Sequence, residues 1–265
     1  MSAGPLTDEL FIERALNIVE NTKQMGGIVR IIGGLAILIH SMEYRDLFHR
    51  LDRLGDENKN ITDIDLVTYK SSLDIVNSVM ERMGYVVDYR VLMFYGDSRR
   101  VYYAGDKSHQ VDVFIDRLKY NHSIEFKTKE GGRLELDYPT IPLSDLLLEK
   151  LQIHYIAEKD IKDIILLLRA HNFAADDVDA INLKRLEKVL GRDWGFWYDA
   201  KLNLEKTLSF VQKYAEEGIL DKESAEDVSA KVTYLLGFLG ELPKDSEWSK
   251  RAKVGTRKKW WDEIE

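Results

Sequence analysis

The sequence predicts an α+β fold. A mixed β-sheet flanked by helices is expected over 1–142, followed by an all-helical domain over 143–265 that ends in a basic tail. Three observations predict it. Short apolar runs of strand length, at 28–32, 61–68 and 111–115, alternate with longer stretches of helical period in the first half. Strand signals vanish beyond Pro142. Pro139 and Pro142 mark a seam between the two regimes, because proline interrupts both helix and sheet ladders.

The elements follow in order. Thr7 or Asp8 can cap a first helix running to about Met25, with Leu10, Phe11, Ala15, Leu16, Ile18 and Val19 on one stripe. A buried strand over 28–32 leads into Gly33-Gly34 and a helix expected over 34–54, whose apolar side is Leu35, Leu38, Ile39, Met42, Leu47 and Leu51. The polar stretch 55–60 is a loop before a strand over 61–68. A helix over 70–83 ends at Gly84, a residue suited to a left-handed C-cap. Alternation over 85–95 and 99–103 around Gly96-Asp97-Ser98 predicts a β-hairpin. Strands over 111–115, 123–128 and 133–136 follow, and then helices over 144–156, 159–171, 175–190, 195–216, 222–240 and 245–253.

Composition limits the function classes. The chain has 265 residues, 45% apolar and 32% charged, enough to bury a sizeable core. It has no cysteine, which excludes disulfides and thiolate metal sites. No apolar run reaches the length of a membrane span, and residues 1–9 lack the basic and apolar regions of a secretory leader, so a cytoplasmic protein with no membrane partner is expected. A net charge of −8 argues against non-specific coating of nucleic acid. The charge is uneven, however. Lys250, Arg251, Lys253, Arg257, Lys258 and Lys259 precede Trp260 and Trp261, a combination that suits a nucleic-acid backbone with bases to stack. The simpler reading is a solvated tail, or one whose tryptophans dock on the protein's own helices.

The chemistry-bearing residues are Asp63, Asp65 and Asp112. Positions i and i+2 of a strand share one face, so Asp63 and Asp65 stand side by side, and a neighbouring strand can bring Asp112 beside them. Three carboxylates repel one another unless a cation lies between them, and Mg²⁺ (or Mn²⁺) with substrate phosphate oxygens is the natural choice. Gly33 and Gly34 end a strand and open a helix, where a backbone can come close to a phosphate. Such a set suits in-line displacement at phosphorus.

The order of strand, Gly33-Gly34, helix, a strand with Asp63-x-Asp65 and a later strand with Asp112 resembles the DNA polymerase β-like nucleotidyltransferase superfamily. Within it the chain looks most like the minimal and abortive-infection-type (AbiEii-like) members. The resemblance implies that Gly33 and Gly34 cradle a nucleoside triphosphate, that Asp63, Asp65 and Asp112 ligate metal, and that Asp112 helps activate an acceptor hydroxyl. The stretch 142–150, followed by 159–163, resembles the first helices after that sheet in the abortive-infection type. It implies a phosphate contact for Lys150, with Asp160 and Asp163 sharing a helix face. The implied activity is transfer of a nucleoside monophosphate to an RNA 3′ end such as that of tRNA, a protein or a small molecule. A toxin-like role with an antitoxin partner goes with it. The alternative is a catalytically inactive nucleotidyltransferase fold that binds nucleotide or protein.

Other residues read more blandly. His40 either lines the pocket or is a half-buried helical histidine. His49, His109, His122, His154 and His171 lack metal-ligand spacing and read as surface or packing residues. No serine sits in a Gly-x-Ser-x-Gly elbow. Arg99 and Arg100 read as solvated hairpin side chains, with substrate contact the lesser reading. Trp194, Phe196, Trp197 and Tyr198 read as packing between helices.

Overall fold

The first helix, α1 (Asp8–Gln24), begins where Thr7 places it, with the Thr7 hydroxyl accepting from the Leu10 N–H at 3.4 Å. The computed structural model describes residues 7–55, 60–128 and 131–263, so the expected loop over 55–60 lies partly, and the leader reading of the first residues mostly, outside them. The chain continues through β1 (Val29–Ile32), α2 (Gly33–His40), α3 (Arg45–Leu51), β2 (Asp63–Thr68), α4 (Leu73–Arg82), β3 (Tyr85–Val87), α5 (Tyr89–Tyr95), β4 (Arg99–Ala104) and β5 (Gln110–Ile115). Short strands β6 (Arg117–Lys119), β7 (Ser123–Glu125), β8 (Lys127–Thr128) and β9 (Gly131–Gly132) come next. The remainder is α6 (Leu143–Leu151), α7 (Glu158–Ala170), β10 (Phe173–Ala174), β11 (Ile181–Asn182), α8 (Leu183–Leu190), α9 (Trp194–Glu216), α10 (Lys222–Glu241) and α11 (Ser246–Val254). This is a mixed α+β protein with a mixed sheet, flanking helices and a helical C-terminal region. No helix among the described residues is long and apolar enough to cross a membrane.

The chain divides into two units. One takes the described residues of Met1–Ile39, Leu54–Leu118 and Glu125–Pro142; the other takes His40–Arg53, Lys119–Ile124 and those of Leu143–Glu265. The first unit holds a five-stranded sheet in the order β1-β2-β5-β4-β3. Within it β2 pairs parallel with β5, between antiparallel neighbours. Side-chain alternation gives the sheet two unlike faces. Ile64, Leu66, Val111 and Val113 are buried on one face. That face carries α4, whose Asn77 Oδ1 accepts from Arg100 Nη1 at 2.8 Å and from the Tyr102 hydroxyl at 2.5 Å. Helix α1 packs against α4, β1 and β2, burying Phe11, Ala15, Ile18 and Val19.

The second unit is built around α9, which contacts α6, α7, α8, α10 and α11. Carboxylate or amide side chains start its last four α-helices: Asn182 caps α8, Asp193 α9, Asp221 α10 and Asp245 α11, each accepting from backbone N–H groups of the first turn.

The helix expected over 144–156 stops at Leu151 and the strand expected over 123–128 divides at Phe126. Further expected elements are corrected with a visible cause. The helix expected over 34–54 is broken. Helix α2 is buried from Gly33 to Leu38, whereas α3 buries only Leu47, Phe48 and Leu51. A 3₁₀ turn over Met42–Tyr44, closed by Tyr44 N–H on Ser41 O at 2.8 Å, redirects the chain between these two environments. The strand expected over 85–95 stops at Val87. The Asp88 carboxylate accepts from the N–H groups of Arg90 (2.8 Å) and Val91 (3.2 Å) and starts α5 instead. The strand expected over 133–136 does not form, because Leu134 N–H donates to the Tyr69 hydroxyl at 3.0 Å rather than to a neighbouring strand. The helix expected over 175–190 begins only at Leu183. Asp177 upstream accepts from the Ser144 hydroxyl and the Asn182 amide, both at 2.9 Å, and holds a loop between β10 and β11.

Candidate functional site

The carboxylates lie on the sheet face opposite α4. Asp65 and Asp112 are direct partners in the parallel β2–β5 pairing, and Asp63 pairs with Gln110 two residues earlier. In-register residues on adjacent strands share a face. Asp63, Asp65, Gln110 and Asp112 therefore project together, with Ile32 opposite Asp65 on the other flank. Asp63 is exposed and Asp65 half-buried, while Asp112 is only 5% exposed.

Gly33 follows directly on Ile32 and opens α2 with φ at +73°, a conformation that disfavours any side chain. A Cβ at this position would stand 2.9 Å from Asp65 Oδ2. The glycine thus leaves room for the carboxylate as well as permitting the turn. Gly34 is buried within the first turn of the same helix.

Asp112 is hemmed in by donors. Arg99 Nη2 donates to Asp112 Oδ2 at 2.6 Å, and Gln110 Nε2 donates to Oδ1 at 3.0 Å. Burial pushes the Asp112 carboxyl above the ordinary aspartate range and the Asp63 charge adds to that; Arg99 and Gln110 only partly offset it. Arg99 stands on β4 opposite Phe114, its guanidinium 5.4 Å from that ring, and reaches diagonally to Asp112. The hairpin reading of Arg99 is thereby corrected, whereas Arg100 points to the other face and Asn77. An arginine on a strand antiparallel to the Asp112 strand was the available signal, but only the register says which of Arg99 and Arg100 faces the carboxylate.

Do these residues fit a divalent cation? The donor set is all oxygen, which suits Mg²⁺, and Gly33 leaves space beside Asp65. Among the described residues no group of three His, Asp or Glu side chains is drawn into a ready-made metal site. At Asp112 both oxygens accept hydrogen bonds, from Arg99 and Gln110. The donor types suit such an ion, while Arg99 already stands on Asp112 as a competing cation.

Lys150 belongs to the second unit, where its ammonium lies 3.0 Å from Asp163 and 3.1 Å from Asp160, and 3.9 Å from Glu149. Arg53 completes the group with two hydrogen bonds to Asp163, at 2.7 and 3.0 Å. Burial disfavours the Lys150 charge, but Asp163, Asp160 and Glu149 outweigh it and hold the ammonium above its ordinary range. Asp160 and Asp163 do share a helix face, and the cations they meet are Lys150 and Arg53.

A second buried network went unread in the sequence. Asp199 on α9 accepts from His122 Nε2 and His154 Nδ1, both at 2.8 Å, and from Trp260 Nε1 at 3.0 Å. Burial raises the Asp199 carboxyl, but these hydrogen bonds outweigh it and hold the group below the usual range. Trp261 stacks on His154 at 3.6 Å, and Trp260 meets Trp194 and Tyr198 edge-on. The tail's tryptophans dock on this unit's own helices, the simpler of the two readings of the tail.

The chain matches no protein-family model, no curated protein and no solved structure at a significant level.

Proposed function

We propose that the carboxylate face of the sheet is a metal-dependent nucleotidyltransferase site, in a fold of the nucleotidyltransferase type. There, a nucleoside monophosphate passes from a nucleoside triphosphate to a hydroxyl acceptor and pyrophosphate leaves. The observation that carries the reading is the register of Asp65 with Asp112 on adjacent parallel strands, with Asp63 on the same face and the Gly33 backbone against Asp65. Asp63 and Asp65 would hold the ion, with Asp112 as third ligand. Bound Mg²⁺ would lower the pKa of the attacking hydroxyl and neutralise charge on the leaving pyrophosphate. Asp112, its carboxyl pushed upward by burial, is the residue to take the acceptor proton. Gly33, at the N-terminus of α2, offers a side-chain-free backbone to a phosphate. Within its own unit the Lys150 ammonium is engaged by Asp160 and Asp163. The acceptor is an RNA 3′ end, a protein side chain or a small-molecule hydroxyl.

The Arg99–Asp112 pair favours one second reading, a fold of the same type that binds nucleotide without chemistry. Transfer of label from each α-³²P nucleoside triphosphate into bulk RNA, protein or small molecules separates the two. The transferase reading expects Mg²⁺-dependent labelling that Asp63→Asn with Asp65→Asn abolishes. No labelling by the wild type, or equal labelling by the double variant, would refute it.

A further inference from the structure

The reading of the carboxylate face leaves Arg99 to be explained. Its guanidinium lies 2.6 Å from Asp112 Oδ2 in a pair whose members differ sharply in exposure, 35% for the Arg99 side chain and 7% for that of Asp112. A buried carboxylate near a second negative charge, Asp63, needs a positive partner. An arginine is charged at every physiological pH, so the need is met without any metal. A divalent ion ligated by Asp112 and a guanidinium on the same carboxylate compete for the same oxygens. The buried partner is fixed in β5, whereas the long, partly exposed arginine can move.

We propose that Arg99 is a resident counter-cation that a divalent metal displaces from Asp112, and that the released guanidinium then takes an oxygen of the bound triphosphate. This inference rests on the metal and nucleotide reading above. It makes metal and nucleotide binding cooperative through one side chain. Metal entry frees a phosphate-binding group, and phosphate capture keeps that group from returning to Asp112. Arg99 is a substrate-binding residue in this scheme, and its signature is an opposed pair of effects. Removing it helps the metal and harms the nucleotide.

The test measures free Mn²⁺ by electron paramagnetic resonance on the full chain, for wild type, Arg99→Gln, Asp112→Asn and the double variant. Arg99→Gln should bind Mn²⁺ roughly tenfold more tightly than wild type, within the usual range of site-to-site coupling. The double variant should match Asp112→Asn alone, because the effect runs through that carboxylate. At saturating Mn²⁺, affinity for a non-hydrolysable nucleoside triphosphate should fall in Arg99→Gln and partly recover in Arg99→Lys. Unchanged or weaker Mn²⁺ binding by Arg99→Gln overturns the inference, while the site reading survives if Asp63→Asn with Asp65→Asn still abolishes Mn²⁺ uptake. Absence of Mn²⁺ uptake by both wild type and Arg99→Gln overturns both. Should Arg99→Gln fail to fold, the wild type decides: Mg²⁺ titration should shift the Arg99 side-chain N–H resonance, assigned through Arg99→Lys. An unmoved resonance at a metal concentration that shifts the β2 amides overturns the inference.

Discussion

Gly33→Ala is the sharpest local perturbation of the site. Two separate effects add at this position. The left-handed φ of +73° costs an L-residue roughly 1–2 kcal/mol, offset in part by the ~0.4–1 kcal/mol that a lost glycine removes from the unfolded chain's freedom. The new Cβ would also stand 2.9 Å from Asp65 Oδ2, closer than real Cβ contacts come, so the carboxylate or α2 must shift, at about 1–3 kcal/mol for overpacking of this kind. The sum is about 1–5 kcal/mol. Gly26 provides the internal control. It has φ at +81° in the same unit, but a Cβ there meets nothing within 4 Å. Gly26→Ala should therefore show only the backbone component, about 1 kcal/mol or less. Urea unfolding of the two variants, followed by far-ultraviolet circular dichroism, measures both. Shortening Asp65 in the Gly33→Ala background should recover part of the excess. If Gly33→Ala is no more destabilising than Gly26→Ala, or if shortening Asp65 recovers nothing, then Gly33 is not held by contact with that carboxylate.

Two further predictions concern charge elsewhere in the molecule. Lys150→Met removes a buried cation that faces Asp160 and Asp163, and should destabilise by about 3–5 kcal/mol in denaturant unfolding, with a loss under 1 kcal/mol contradicting the structural role given to it. His109 has its pKa pushed down to about 4 by burial and by the Arg14 charge, and it hydrogen-bonds Arg14 at 2.7 Å and Tyr85 at 2.9 Å. Its unfolded value is near 6.5, so the unfolded chain binds the extra proton between those two values. Stability is then full above about pH 6.5 and falls as pH drops toward 4, by roughly 1–2 kcal/mol after solvent screening. His109→Gln should flatten that part of a stability-against-pH curve, and an unchanged slope would contradict the assignment.

The residues that could be read from the sequence are those whose local signals agree with their surroundings. Thr7 followed by a 3.6-residue apolar period set both ends of α1 to within a residue. The strands bearing Asp63, Asp65 and Asp112 were legible because their apolar alternation is fixed by burial of Ile64, Leu66, Val111 and Val113 on one face. The face was legible too, since period two alone puts Asp63 beside Asp65. Which residue stands beside Asp112 was not, because strand order and register are set by pairing across distant segments. Helix α5 was misread for a different reason. Tyr89, Val91, Phe94 and Tyr95 favour strands, yet Asp88 offers two hydrogen bonds to the backbone ahead of it and tips the segment into a helix. The Asp199 network was invisible because His122, His154, Asp199 and Trp260 are far apart in sequence and meet only in the folded chain.

The proposed function requires that the carboxylate face bind a nucleoside triphosphate through a divalent cation. Titration calorimetry with a non-hydrolysable nucleoside triphosphate, with and without Mg²⁺, tests it most directly. Binding should require Mg²⁺ and weaken at least tenfold, about 1.4 kcal/mol or more, in Asp63→Asn with Asp65→Asn, as expected when ligands of an essential ion are lost. Binding that is equally tight in EDTA, or that is unaffected by the loss of both carboxylates, would contradict it.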